Sequence, residues 1–433
     1  MSRLLVILLL FSVLAEPARA EEGDCTVFHD LTIQTPEGPM EGWSLVVEGH
    51  QIAAVGKAPR GLSVQNEIAQ WKGRTCQLTS HPSGSILTAG LVQVGTQVGL
   101  VEVSLEDRTR HHDAGGEPVR AAHSVADSYD PLSPLIPIAR RGGITSAVIV
   151  PTGGIVSGQA AWVDLAGRTQ AEAIQERSVA FPAALGSGSP AAGLGRLAGL
   201  LDDARAFARD RRAYDQNRTR SLDASRRDLE ALQPVLRGEA PLILRADRAA
   251  QIEAILRFAQ REKIEVILRG GAEAWMHAEG LAKAGIAVII DPLVTGAGSF
   301  DQRAARADSA AILAEAGVAV LMSNHSAHFA RNLRQLAGNA VRAGMDHDQA
   351  MQAITQTPAE VFGLEQSGRL EPGKRANIVL WSGDPLEIST RPILVLIGGR
   401  TQSLESRQTR LRDRYRTLPG TPLLGPPIPR ALD

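Results

Sequence analysis

Short, almost uninterrupted apolar runs recur through the middle of the chain: GITSAVIVP, APLILRA, IEVILRGG, GIAVIIDP and GVAVLMS. Each is too short for a helix, and none alternates as a sheet with one wet face would. Runs of this kind are strands covered on both faces, as in a parallel sheet walled by helices. Amphipathic stretches such as residues 249–262 lie between them, so residues 88–363 read as repeated β–α units. The first unit opens with LTAGLVQVGTQVGLVEV, residues 87–103, read as the first buried strand running into a turn.

The flanks are different. Residues 21–87 read as short strands broken by turns, and WSLVVEGHQIAAVGK predicts a hairpin turning at Glu48-Gly49-His50. Strands return over residues 364–402, in GRLEPGKRANIVLWSGDP and ILVLIGGR. Residues 403–433 are expected to hold a C-terminal helix and a Pro-rich tail, LPGTPLLGPPIPR, extended or disordered. The stretch 201–232 is dense in Arg and Asp with the signs interleaved. It predicts a solvated helix with i,i+4 pairs, not a nucleic-acid patch.

Composition adds little until the ends are read. The net charge of −1 over 433 residues gives no pull toward nucleic acid or an acidic membrane. That length suits one large α/β barrel with a small satellite. Of 46 basic residues only five are lysines, an arginine bias in keeping with a GC-rich bacterial genome. Arg3, the apolar run over 4–15 and the sequence PARA before Glu21 form the pattern of a cleavable secretory signal over residues 1–20, cut after Ala20. A membrane anchor needs about 20 apolar residues, and this run is shorter. The expectation is an exported, periplasmic protein with no stable membrane insertion after cleavage. Cys25 and Cys76 form no CxxC pattern. In an oxidising compartment they either pair or stay as thiols, and the sequence leaves both open.

A family resemblance rests on an ordered set of segments: the opening hairpin ending in IAAVGK, ILTAGLVQVGTQVGL, ARRGGITSAVIVPTGGIVSGQ, RNLRQLAGNAVRAGM, AITQTPAEVFGL and GRLEPGKRANIVLWSGDPL. Together they resemble the amidohydrolase superfamily, in particular its imidazolonepropionase-like branch, over nearly the whole chain after residue 20. The resemblance implies an α/β fold: a (β/α)8 TIM-like barrel with a small composite β-sandwich formed by both ends of the chain. It also implies hydrolysis of non-peptide C–N bonds by hydroxide on a divalent metal such as zinc. The family's ligands are His-x-His on the first barrel strand, often a carboxylated Lys on the fourth, one His each on the fifth and sixth, and Asp on the eighth.

Residue types alone test those positions. The His-x-His falls on Gly95 and Gln97, and no His occurs between His81 and His111. No Lys occurs between Lys72 and Lys263, and no His between His123 and His277. The fifth and sixth strands carry Arg245 and Arg269 instead. No Asp or Glu lies between Gly317 and Met345, which covers the eighth strand. A guanidinium stays protonated and offers no lone pair to a metal. The expected metal set is therefore empty, and no cofactor is expected.

What remains at the strand ends is polar. Arg245 and Arg269, if on neighbouring strands, suit a carboxylate or phosphate held bidentately; otherwise each pairs with Asp247, Glu273 or Asp291. Gln97, His325 and His328 are candidate contacts to a ligand, or else caps and solvent-facing groups. Asp291 is a candidate acid or base if burial raises its pKa, or else it pairs with an arginine or caps the turn before Pro292. His111, His112 and Asp113 form a tempting metal trio, although adjacent histidines usually point apart. The loops PTGGIVSGQ and VTGAGSF lack a phosphate-loop ending, and no nucleophile elbow is present.

The expectation is an exported pseudoenzyme that binds a small, anionic molecule at its barrel mouth, with no nucleic-acid partner. Two alternatives stay open: an active C–N hydrolase with a relocated metal or a carboxylate-only site, and an interaction module whose mouth is filled by its own side chains.

Overall fold

The computed structural model describes residues 25–416 apart from 114, 117 and 187. The signal segment and the Pro-rich tail lie outside the described residues. Among the described residues no helix is long and apolar enough to cross a membrane.

The chain enters through seven strands: β1 (Cys25–Thr35), β2 (Gly38–Glu48), β3 (Gln51–Gly56), β4 (Leu62–Gln65), β5 (Ile68–Trp71), β6 (Arg74–Leu78) and β7 (Ile86–Ala89). The barrel follows with β8 (Leu91–Thr96), β9 (Ile144–Ile149), β10 (Ala160–Asp164), β11 (Ile174–Ala183), β12 (Leu242–Ala246), β13 (Val266–Gly270), β14 (Ala287–Ile290) and β15 (Val320–Met322). Three more strands, β16 (Ile378–Trp381), β17 (Pro392–Ile397) and β18 (Arg400–Thr401), rejoin the entry sheet. There β7 pairs with β1 on one side and β16 on the other, so both ends of the chain build one sheet.

The predicted hairpin is β2–β3, and Gly49 at its turn has φ +59°, a conformation that suits a residue without Cβ. Cys25 and Cys76 are disulfide-bonded, with α-carbons 4.9 Å apart. The alternative left open by the sequence is settled as a bridge between β1 and β6. The stretch read as one strand over residues 87–103 is two. It divides at Gly90, where a Cβ would lie 2.1 Å from Thr145 Oγ1; only a bare α-carbon lets the chain step from the small sheet into the barrel.

The barrel strands follow sequence order around an eight-stranded sheet. The five quoted runs are β9 and β12 to β15, and β8–β9 and β11 through β15 pair in parallel. The third strand, β10, departs from the repeat: it is antiparallel to both β9 and β11. PTGGIVSGQ explains this. A link that short joins antiparallel strands, whereas a parallel crossover needs a dozen or more residues.

The helix expected over 201–232 is interrupted. Helices span Pro190–Arg209, Arg211–Asp215 and Arg226–Ala231. Arg220, in the break, turns back to pair with buried Asp203, a long-range tie that an interleaved charge pattern does not reveal.

Alternate residues divide the core. Leu242, Leu244, Val266, Leu268, Val288 and Val320 face the surrounding helices. Val92, Val94, Val148, Trp162, Ile243, Ile267, Ile289 and Leu321 fill the inside, with Ala359 and Phe362 packed against them. Side chains following Ile243, Ile267 and Ile289 by two positions therefore point inward at the C-terminal ends of their strands. These are Arg245, Arg269 and Asp291.

Candidate functional site

Arg245 and Arg269 are register partners on the parallel pair β12–β13. They line one cavity of about 250 Å³ together with Asp247, Gly270, Ala272, Ile290, Asp291, Val294, Gln302, Arg306, Ser309 and His325. Four of the residues singled out in the sequence, Arg245, Arg269, Asp291 and His325, thus meet. Gln97, at the turn after β8, and His328, in the loop after β15, do not line the cavity.

The two arginines are differently placed. Arg245 is open to solvent and lies 3.6 Å from Asp247. Arg269 is largely withdrawn from water, its Nε is buried without a hydrogen-bond partner, and no ion pair to it forms among the described residues. Burial lowers its pKa, and the nearby Arg245 charge adds to the effect. Glu273, offered by the sequence as a partner, instead accepts the Ala249 N–H at 2.8 Å and caps the helix Ala249–Glu262.

Asp291 accepts the Leu293 N–H at 3.0 Å, the capping role foreseen for it, but pairs with no arginine. Burial pushes its carboxyl up, and that single hydrogen bond opposes the shift. His325 is pushed down to about 3, first by burial and then by the Arg269 charge, so the imidazole is neutral at physiological pH. Its Nδ1 is buried without a partner. A Cβ on Gly95 would lie 3.3 Å from that nitrogen, so the position where the family has a histidine is bare and the ring of His325 occupies the space.

Gln302, Arg306 and Ser309 were missed by sequence reading. They come from the loop after β14 and the start of helix Ser309–Glu315, a segment without an apolar pattern. Arg306 is held by Asp308 and lies 4.8 Å over the Trp275 ring. Ser309 Oγ is buried without a partner. Three orphaned polar atoms, on Arg269, Ser309 and His325, therefore belong to residues of one small cavity.

Among the described residues no three His, Cys, Asp or Glu side chains come together as a metal site. The family's divalent ion does not fit the residues present: Gly95 and Gln97 end β8, Arg245 and Arg269 end β12 and β13, and Ser323 and Asn324 follow β15. The His111–Asp113 trio does not supply a substitute, since Asp113 pairs with Arg120 at 2.8 Å and His111 bonds the Arg108 carbonyl.

Comparison with known proteins places the fold. Residues 293–403 match the Amidohydrolase family. An amidohydrolase of known structure from Thermotoga maritima MSB8 superposes with a TM-score of 0.76 at 22% identity, covering 87% of this chain and 99% of its own. At that identity the likeness is one of fold. An adenine deaminase from Methanopyrus kandleri is 37% identical over 92 residues, 21% of this chain and 14% of that protein. An amidohydrolase, tasK, from Hapsidospora irregularis is 33% identical over 67 residues, 15% of this chain and 7% of that protein. The chain thus matches only a small part of either curated relative. It has an amidohydrolase fold, and its residues 293–403 carry the family's own sequence pattern.

Proposed function

We propose that this protein is an exported, diverged relative of the imidazolonepropionase-like amidohydrolases that has given up metal-dependent hydrolysis and binds a small anionic ligand at its barrel mouth. The observation that carries this reading is Arg269. A charge withdrawn from water without an ion pair is costly, and Arg269, half-buried with its Nε unpartnered, faces a cavity beside a second guanidinium in register with it. A carboxylate or phosphate placed between them gains charge-assisted, geometrically matched hydrogen bonds. A divalent cation would instead meet two guanidinium groups, and among the described residues no three His, Cys, Asp or Glu side chains gather to hold it.

Calorimetry with acetate and inorganic phosphate tests the reading, alongside elemental analysis of the purified protein. At least one anion should bind, and Arg269→Gln should weaken it by tenfold or more while the circular dichroism stays unchanged. Stoichiometric zinc, iron or manganese, or affinity indifferent to Arg269, would overturn the proposal.

A second reading keeps catalysis. Asp291 faces the same cavity with a raised pKa, as a general acid requires, and the curated relatives are named as an adenine deaminase and an amidohydrolase. Turnover of a cyclic amide, abolished in Asp291→Asn, would support it. A mouth filled by its own side chains is disfavoured by the cavity.

A further inference from the structure

We infer that the ligand of this cavity is a small α-amino acid or a close zwitterionic analogue, its carboxylate held by Arg269 and Arg245 and its ammonium by Asp291. The inference rests on the anion-binding reading above and narrows it to one class of molecule.

Two opposite charges share the cavity yet form no ion pair among the described residues. Arg269 is in register with Ile289 on the neighbouring strand, and Asp291 lies two residues further along. Both side chains face the barrel interior. With strands about 4.8 Å apart and a rise of about 3.3 Å per residue, their α-carbons are separated diagonally by about 8 Å. Arg269 forms no ion pair among the described residues, and Asp291 makes one hydrogen bond, through Oδ1 to the Leu293 N–H. Its other oxygen stays available.

Asp247 and Arg306, the other charges on the cavity beside Arg245, each have a partner, and the Asp247 charge also reaches Arg269. Asp247 faces Arg245 at 3.6 Å and accepts the Ala272 N–H at 3.4 Å. Arg306 is held by Asp308. His325 is neutral and adds no positive charge to repel an ammonium. The unspent pair is thus one guanidinium and one carboxylate, with Arg245 open to solvent beside the first.

That pair discriminates among ligands. A simple monocarboxylate satisfies Arg269 but leaves Asp291 partly buried without a cation. A phosphate or a dicarboxylate brings a second negative charge toward Asp291. A molecule with a carboxylate and an ammonium on adjacent atoms answers both groups at once. At about 250 Å³ the cavity falls below the roughly 300–1,000 Å³ usual for drug-sized ligands, so the molecule is small. Ala272, Ile290 and Val294 offer an apolar wall for a short side chain, and the unpartnered Ser309 Oγ is a polar contact.

The test is calorimetry on the purified chain. The twenty protein amino acids are screened by thermal shift, and each hit is compared with its deamino carboxylate, for example L-alanine with propionate. Wild-type protein should bind at least one amino acid tenfold or more tighter than its deamino partner. Asp291→Asn, which keeps the shape and the acceptor for Leu293, should erase that preference. Arg269→Gln should weaken both. Equal affinity for the matched pair, with both dependent on Arg269, overturns the inference and leaves the anion-binding reading standing. If no amino acid, no carboxylate and no phosphate binds, both fall; phosphate binding alone overturns only the inference. The wild-type comparison needs no variant, so a misfolded mutant cannot rescue the idea.

Discussion

Gly95 and His325 meet across 230 positions of sequence. With no side chain at 95 there is room for the ring at 325, which sits beside two guanidinium groups. The stability consequence has a definite sign. The folded-state pKa of His325 is pushed down to about 3, below the ordinary 6.5 of a free imidazole. Its contribution is therefore present in full above pH 6.5 and is lost as pH falls toward 3, because the unfolded chain takes up a proton that the folded one refuses. Over that window the loss is on the order of 1.4 kcal/mol per pH unit at most. Asp291 works the other way, since its raised pKa favours the folded state as acid is added. His325→Asn isolates the effect, because Asn tolerates the φ of +57° found there. Urea midpoints at pH 7, 6 and 5 should fall less steeply for the variant than for the wild type; parallel slopes would refute the assignment.

The same residues mark how far the sequence could be read. The absence of His between His81 and His111 and of Lys between Lys72 and Lys263 was legible, because a residue type needs no structure to be noticed. How the residues at the strand ends meet was not. Gln93 donates to Ser323 Oγ at 2.9 Å, and that hydroxyl donates to the Val94 carbonyl at 2.6 Å, drawing together the two ends of the barrel sheet. Nothing local to either residue announces that contact.

At the scale of elements, the short apolar runs gave the parallel strands because burial on both faces is written into composition. From this the pairing of Arg245 with Arg269 followed once β12 and β13 were neighbours. The antiparallel β10 was hidden because the length of PTGGIVSGQ constrains strand direction only once the strands on both sides of it are known. The disulfide was also undecided, since spacing says nothing of proximity. Its role is clear from the pairing: β1 and β6 share two registered residue pairs, Thr26 with Gln77 and Val27 with Leu78, so the covalent bridge reinforces a slender seam. Closing a loop of sequence separation 51 is worth roughly 4 kcal/mol in the chain-entropy model. Cys25→Ser with Cys76→Ser should lower the urea stability of the small sheet by about 2–4 kcal/mol. Hydrogen exchange should quicken in β4 to β6 before the barrel is affected, and uniform loss across both sheets would argue against this placement.

Across the whole molecule, the barrel and the composite sheet are locked by a buried polar cluster. Asp164, at the end of β10, is fully enclosed and accepts from Ser146 Oγ at 2.8 Å, Asn377 Nδ2 at 2.9 Å and Arg375 Nε at 2.7 Å. Asn377 passes the connection on by accepting the Gly398 N–H at 2.7 Å. Burial pushes the Asp164 carboxyl up, while the Arg375 charge and the hydrogen bonds from Ser146, Arg375 and Asn377 pull it down. Removing one member of such a set leaves the others without partners, which typically costs about 3–5 kcal/mol. Asp164→Ala should therefore destabilise the protein by that order. Adding Arg375→Met should restore part of the loss by removing the stranded guanidinium, a recovery that simple cavity formation does not predict. The Gly398 amide should lose hydrogen-exchange protection in the single variant, since its acceptor is no longer held. A cost below about 1 kcal/mol, or a double variant no better than the single one, would mean that the two sheets stay together through their apolar contacts alone.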